Sequence, residues 1–239
     1  MRNIVKTQAV VIKSIKYGDS SLIIRLLTKD FGIKSYIAKG VFNKNSKVKA
    51  AYFQPMTIID IIASQSGGEL DLIKEVSLTY QFKSIPFHIN KNTIVLFMSE
   101  LLYKSIIESE TDHDLFDFVT SFVISLDEME EGYNNYPLCF SVLLTRYLGC
   151  FPNMQHYSKG LLFDIDEGCF RNENTRMINF LNAEQSMILY DICCGTIQFS
   201  VNKKDRRELM DGIMKYYKAH VAGFKDINSH NILRTVLDT

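Results

Sequence analysis

Apolar positions in the first eighty residues come in short runs rich in Val, Ile and Leu, whereas beyond residue 92 they recur every three to four residues. The two periods predict strands first and helices afterwards. Residues 7–15 (TQAVVIKSI) and 21–27 (SLIIRLL) are two such runs, separated by the turn signal Tyr17-Gly18-Asp19. Lys29-Asp30-Phe31-Gly32 makes another turn, and residues 33–38 (IKSYIA) alternate as a half-buried strand does. Residues 55–63 (PMTIIDIIA) predict a fourth strand with Pro55 at its start, a position where a missing N–H is tolerated. Ser66-Gly67-Gly68 predicts a tight turn into a fifth strand over 70–78. Five short strands with almost no helical stretch between them fit a small antiparallel barrel.

The helical part starts with residues 93–107, for which Asn92 is the expected N-cap. An acidic break at 109–114, a helix over 115–126 and a second acidic loop at 127–133 follow. A third helix over 137–148 is stopped by Gly149, with Pro152 close behind. An irregular hairpin is expected at about 160–172, turning at Asp166-Glu167-Gly168. A helix over 183–194 and a long final helix over 205–222 follow, and 229–237 adds a short tail. The predicted class is α+β: a five-stranded barrel over residues 1–82, then a mainly helical domain over 83–239 with a small β insertion.

Charge changes this picture. The chain has 27 Lys and Arg against 27 Asp and Glu, a formal balance of zero. Residues 1–50, however, hold eleven Lys and Arg and only Asp19 and Asp30 as acids. The barrel end is therefore strongly basic and the helical part equally acidic, which implies a polyanion partner for the first or simply a solvated basic surface. No leader-like apolar run follows Met1, and no stretch is long and apolar enough to span a bilayer, so the expected setting is the cytoplasm without a membrane partner.

The densest basic segment is 38–50 (AKGVFNKNSKVKA), where Lys39, Lys44, Lys47 and Lys49 stand among loop-forming residues with no acid. Lysines on such a loop bind phosphates as point charges and read no sequence. Lys13, Lys16, Arg25 and Lys34 lie on or beside neighbouring strands, and Tyr36 and Phe42 sit among the charges. Small barrels hold single strands by pairing a cationic groove with aromatic stacking. Tyr36 has a second reading as a packed barrel residue, and Phe42 as a loop anchor. A further basic cluster, Lys203, Lys204, Arg206 and Arg207, opens a predicted helix, where cations oppose the helix dipole; it reads either as a site for an acidic partner or as surface charges facing acidic loops of the same domain.

Enzyme signatures are missing: there is no glycine-rich phosphate loop and no nucleophile elbow. The histidines are scattered, and His220 falls where a helix-terminal or packing role is expected. The acids Glu108, Glu110, Asp112, Asp114 and Asp117 read as a solvated loop, and a hydrolase reading rests on them alone. Five cysteines without paired spacing argue against a disulfide framework and against four-thiolate zinc, and Cys193 and Cys194 read as small buried residues.

Residues 9–40 (AVVIKSIKYGDSSLIIRLLTKDFGIKSYIAKG) resemble the bacterial RecO family of recombination mediators. The shared pattern is a strand, a Tyr-Gly-acid turn, an aliphatic strand ending in Leu-Thr, a Gly-led strand and Ala-Lys-Gly. Residues 44–49 and Gln54-Pro55 continue it, and 145–152 (TRYLGCFP), 163–170 (FDIDEGCF) and 217–233 match more loosely. The resemblance implies an oligonucleotide-binding (OB) barrel followed by a helical domain, with no catalytic turnover. It implies binding to single- and double-stranded DNA, strand annealing, pairing with RecR, recognition of the acidic tail of single-strand-binding protein, and help in loading RecA. Arg25, Lys34, Lys39, Lys44 and Lys47 are the DNA contacts it implies. Many members carry a four-cysteine zinc element; here residues 153–160 (NMQHYSKG) contain no cysteine and Cys169 stands alone, so no cofactor is expected. The competing reading of the same lysines is an adaptor whose basic barrel docks an acidic protein surface.

Overall fold

The computed structural model describes residues 3–65, 70–106 and 110–237. The expected turn at Ser66-Gly67-Gly68 and the acid Glu108 lie outside the described residues. The chain divides into two compact units, Met1–Glu128 and Met129–Thr239.

The first unit is built on a closed barrel of β1 (Ile4–Tyr17), β2 (Ser21–Thr28), β3 (Gly32–Ala38), β4 (Ile58–Ser64) and β5 (Asp71–Leu78) in the order β1-β2-β3-β5-β4. Four ladders are antiparallel, and closure is made by the parallel pair β3–β5, with Tyr36 opposite Asp71 and Ile37 opposite Leu72. Inward-facing Ala9, Val11, Ile24, Leu26, Ile59 and Ile61, all fully buried, form the core. Alternation along each strand selects these positions. β1 is buried on both faces over its middle, because α1 (Ile89–Ser105) and α2 (His113–Glu128) pack on its outer side. The Ser99 hydroxyl of α1 donates to the Ile12 carbonyl there.

Local boundaries differ from the pattern in instructive ways. The fourth strand begins at Ile58 rather than residue 55, because Met56 adopts φ +62° and its N–H bonds the Val11 carbonyl in a turn. The first helix begins at Ile89, so Asn92 is inside it, donating its N–H to the His88 carbonyl, and is not the N-cap. Asp112 caps α2 by accepting the Leu115 N–H at 2.8 Å. Asp127, expected in an acidic loop, is 3% exposed in the last turn of α2. Its carboxylate accepts the backbone N–H groups of Lys83, Ser84 and Ile85 at 2.8–2.9 Å. Lys91, also buried, donates to the Ser84 hydroxyl and the Asp127 carbonyl. This polar knot ties the chain leaving the barrel to α1 and α2.

The second unit contains α3 (Tyr136–Leu144), a sheet of β6 (Leu162–Asp164), β7 (Cys169–Arg171) and β8 (Phe180–Leu181) in the order β7-β6-β8, then α4 (Ala183–Cys193), α5 (Lys203–His220) and α6 (Ser229–Leu237). The expected hairpin gains a third strand, β8, too short to show a period. Asn182 and Gln185 form a reciprocal capping box at α4. Gly212 lets α5 approach β8 closely, since a side chain there would collide with Leu181. Around the sheet, Tyr157 stacks on Tyr190 with centroids 3.8 Å apart, and Phe170, Phe163 and Tyr216 continue the chain of rings. His220 packs on Tyr216 and bonds the Ile165 carbonyl at 2.8 Å. Cys193 is buried as expected, and Cys139 is buried too; Cys194, at the helix end, is exposed instead. No described helix is long and apolar enough to cross a membrane.

Candidate nucleic-acid interface

The loop between β3 and the turn at Ala50–Phe53 is held down at two points. Val41 and Val48 are 3% and 7% exposed and join the barrel core. The Val41 N–H bonds the Ser20 carbonyl at the β1–β2 turn, and the Ala50 N–H bonds the Val41 carbonyl. Gly40 has φ +69°, which permits the tight return bonded from Asn43. The segment expected as a loop is thus a loop pegged to the barrel. Its polar residues must point outward because its two valines point inward.

From this loop Lys39, Lys44, Lys47 and Lys49 project into solvent, and none has a carboxylate at ion-pair distance among the described residues. Lys16, exposed near the end of β1, lies 5.8 Å from the ring centroid of Phe42, which is 52% exposed. The hydrogen bond from Val41 to Ser20 brings the β1–β2 turn to the loop, and with it the exposed ring of Tyr17. Tyr17 was not among the expected contacts; its place beside Lys16 in a turn was the available signal. Five exposed cations and the exposed Phe42 ring, on this pegged loop and the adjoining end of β1, can hold a phosphate backbone and offer a stacking face.

The remaining candidates do different work. Tyr36 is fully buried in the barrel core, so it offers no face to a base; burial first, then the Asp71 charge, push its pKa up to about 12. Inward alternation on β3 decides this. Lys34 pairs with the nearly buried Asp71 at 2.9 Å, across the parallel β3–β5 closure. Lys13 and Arg25 are cross-strand partners whose cations lie over the Tyr103 ring of α1 at 3.9 and 5.5 Å, and Arg25 also donates to the Ile106 carbonyl at 3.1 Å. Both fasten strands to α1.

In the second unit the Lys203, Lys204, Arg206, Arg207 cluster forms the first turn of α5, capped by Asn202. Arg206 and Arg207 reach a shallow groove floored by Pro137, Leu138, Met210, Leu233 and Leu237. Arg234 and His230 of α6 complete its rim, with Arg234 also paired to Asp211. The α6 contribution was invisible in sequence, because α5 and α6 are brought together only by packing. Among the described residues no group of three or more His, Cys, Asp or Glu gathers as a metal-holding set.

A closed five-stranded barrel with a basic loop, followed by helices around a small sheet, defines the class: an α+β protein whose N-terminal barrel presents a cationic loop surface. The description "Recombination protein O N terminal" matches residues 1–82 and "Recombination protein O C terminal" matches 86–226. The chain is 33% identical over 238 residues to the DNA repair protein RecO of Flavobacterium psychrophilum, covering 97% of this chain and 98% of that one. It is 32% identical over 237 residues to the RecO of Flavobacterium johnsoniae, with 97% and 98% covered. Against the RecO of Azobacteroides pseudotrichonymphae it is 27% identical over 238 residues, with 98% and 99% covered. The chain belongs to the RecO family of DNA repair proteins, and its barrel is of the OB type.

Proposed function

We propose that this RecO-family protein is a non-catalytic mediator of recombinational repair that binds single- and double-stranded DNA, anneals complementary strands and helps load RecA onto strands coated by single-strand-binding protein. The observation that carries the reading is the set of exposed lysines, Lys16, Lys39, Lys44, Lys47 and Lys49, on a pegged loop surface with Phe42. Pairing with RecR belongs to the same proposal, and family membership is what supports it.

The α5–α6 groove supports recognition of an acidic tail. Its floor is apolar and its rim carries three arginines, so a peptide with apolar and acidic residues would bury the first and pair the second. Arg207→Glu is expected to weaken a fluorescent acidic tail peptide roughly 10- to 100-fold, the scale of one charge-assisted bond and an added repulsion. Annealing of naked strands by the same variant stays unchanged. The decisive assay follows annealing of complementary strands coated with intact or tail-less single-strand-binding protein. The intact protein supports acceleration, the tail-less one does not; no acceleration of naked strands would remove the annealing function.

No cofactor takes part in this reading. The stretch 153–160 carries no cysteine, and the Cys169 sulfur accepts a bond from Arg171. The ring chain from Tyr157 to Tyr216 packs this region together without a metal in the reading. A chelator is therefore expected to leave the melting temperature unchanged, whereas Tyr157→Ala lowers it; a drop on chelation would overturn the assignment.

A further inference from the structure

The lysine loop ends at a second chemistry. Immediately after Lys49, the turn at Ala50–Phe53 leads into one wall of a pocket of about 370 Å³ within the first compact unit. That volume lies in the range of roughly 300–1,000 Å³ typical of small-ligand sites. Three aromatic residues, Tyr80, Phe82 and Phe87, line it together with three amide-bearing residues, Gln54, Gln81 and Asn92. Among the described residues no charged one lines it. Tyr80 and Phe82 meet edge-on at 5.5 Å, and the Tyr80 hydroxyl donates to Asp127 at 3.3 Å, so two of the rings are fixed. Phe87 is 81% exposed, although holding a phenyl ring in water is unfavourable.

We propose that this pocket is a nucleobase site, in which an unpaired base of the bound strand stacks against Phe87 and turns its edge to the amides. Every base has a π face, so the rings accept any of them. An amide carries both donor and acceptor, so Gln54, Gln81 and Asn92 can meet any base edge. The neutral lining suits an uncharged base while the charged phosphates remain outside, on Lys49 and the loop before it. An apolar side chain of a partner protein would use the rings but leave the amides unpaired on burial, which is costly. A base satisfies both. A paired base keeps its edge and faces inside the duplex, so the site selects single strands.

The inference rests on the DNA-binding reading. Its test compares the full chain with Phe87→Ala on two labelled strands of equal length and charge: oligothymidylate and the same backbone with abasic sites throughout. The wild-type protein is expected to prefer the base-bearing strand by roughly 5- to 150-fold, the range measured for one stacked base. Phe87→Ala loses most of that preference and binds the abasic strand as the wild type does. Its melting temperature is unchanged, because the ring is exposed. Equal affinity of both proteins for oligothymidylate overturns the site. Loss of a protein partner by Phe87→Ala, with oligothymidylate binding unchanged, also overturns it and makes the pocket a protein dock. Failure of the wild type to bind either strand removes the DNA-binding reading itself.

Discussion

Replacing Lys39, Lys44 and Lys47 together by Glu lowers affinity for single-stranded DNA by roughly 10²–10³-fold near 0.1 M salt, and by a similar factor for every sequence. Each neutralised phosphate releases condensed counterions, which near that salt is worth about one power of ten or slightly less. The three side chains are exposed and have no carboxylate partner among the described residues, so the substitutions spare the fold. Because Val41 and Val48 peg the loop, its backbone does not first have to be ordered by the ligand. Anisotropy titrations across salt concentrations provide the measurement. The slope of log affinity against log salt should flatten by about two to three units in the variant. Unchanged affinity and slope would place the phosphate path elsewhere on the barrel. Lys13, Lys34 and Arg25 are poor choices for such a test, since each is held by Tyr103, Asp71 or Ile106 and its loss would perturb the strands.

Asp127→Ala should destabilise the first compact unit by roughly 3–5 kcal/mol. The carboxylate is buried and is the acceptor for three backbone N–H groups, the Ser84 hydroxyl and the Tyr80 hydroxyl. Removing it leaves those donors short of partners in a place water reaches poorly. Burial alone would raise the Asp127 pKa, but the bonds from Lys83, Ile85 and Ser84 hold it below its ordinary value. A carboxyl whose pKa is lowered on folding contributes stability that is present above the unfolded value, near 3.8, and is lost as pH falls through the folded value. Urea unfolding of the wild type should therefore show this component at pH 7 and lose it well below pH 4, whereas the variant lacks it at both. A variant as stable as the wild type at pH 7 would show that the knot is dispensable. Since Asp127 also fixes Tyr80, the variant is expected to lose part of the discrimination between base-bearing and abasic strands.

Much of the barrel was legible because short runs of Val, Ile and Leu bounded by turn signals mark strands, and residues 33–38 add an alternation of period two. The fourth strand was placed three residues early because a turn bonded to Val11 overrode the apolar run. Asp127 was misread as a loop acid since nothing local marks a carboxylate that serves N–H groups more than forty residues away. β8 was missed because its two residues pair only with β6.

What the sequence determined alone is the basic loop, the five strand runs, the helical remainder and the family, because these depend on residue type and local spacing. Only the tertiary structure decided which cations remain available. Lys39, Lys44, Lys47 and Lys49 stay in solvent since Val41 and Val48 occupy the core, whereas Tyr36 is taken by the core and Lys13, Arg25 and Lys34 by neighbours. Likewise the aromatic pocket and the arginine-rimmed groove join segments distant in the chain. Charge and period are local properties, but exposure and adjacency arise only when the chain closes on itself.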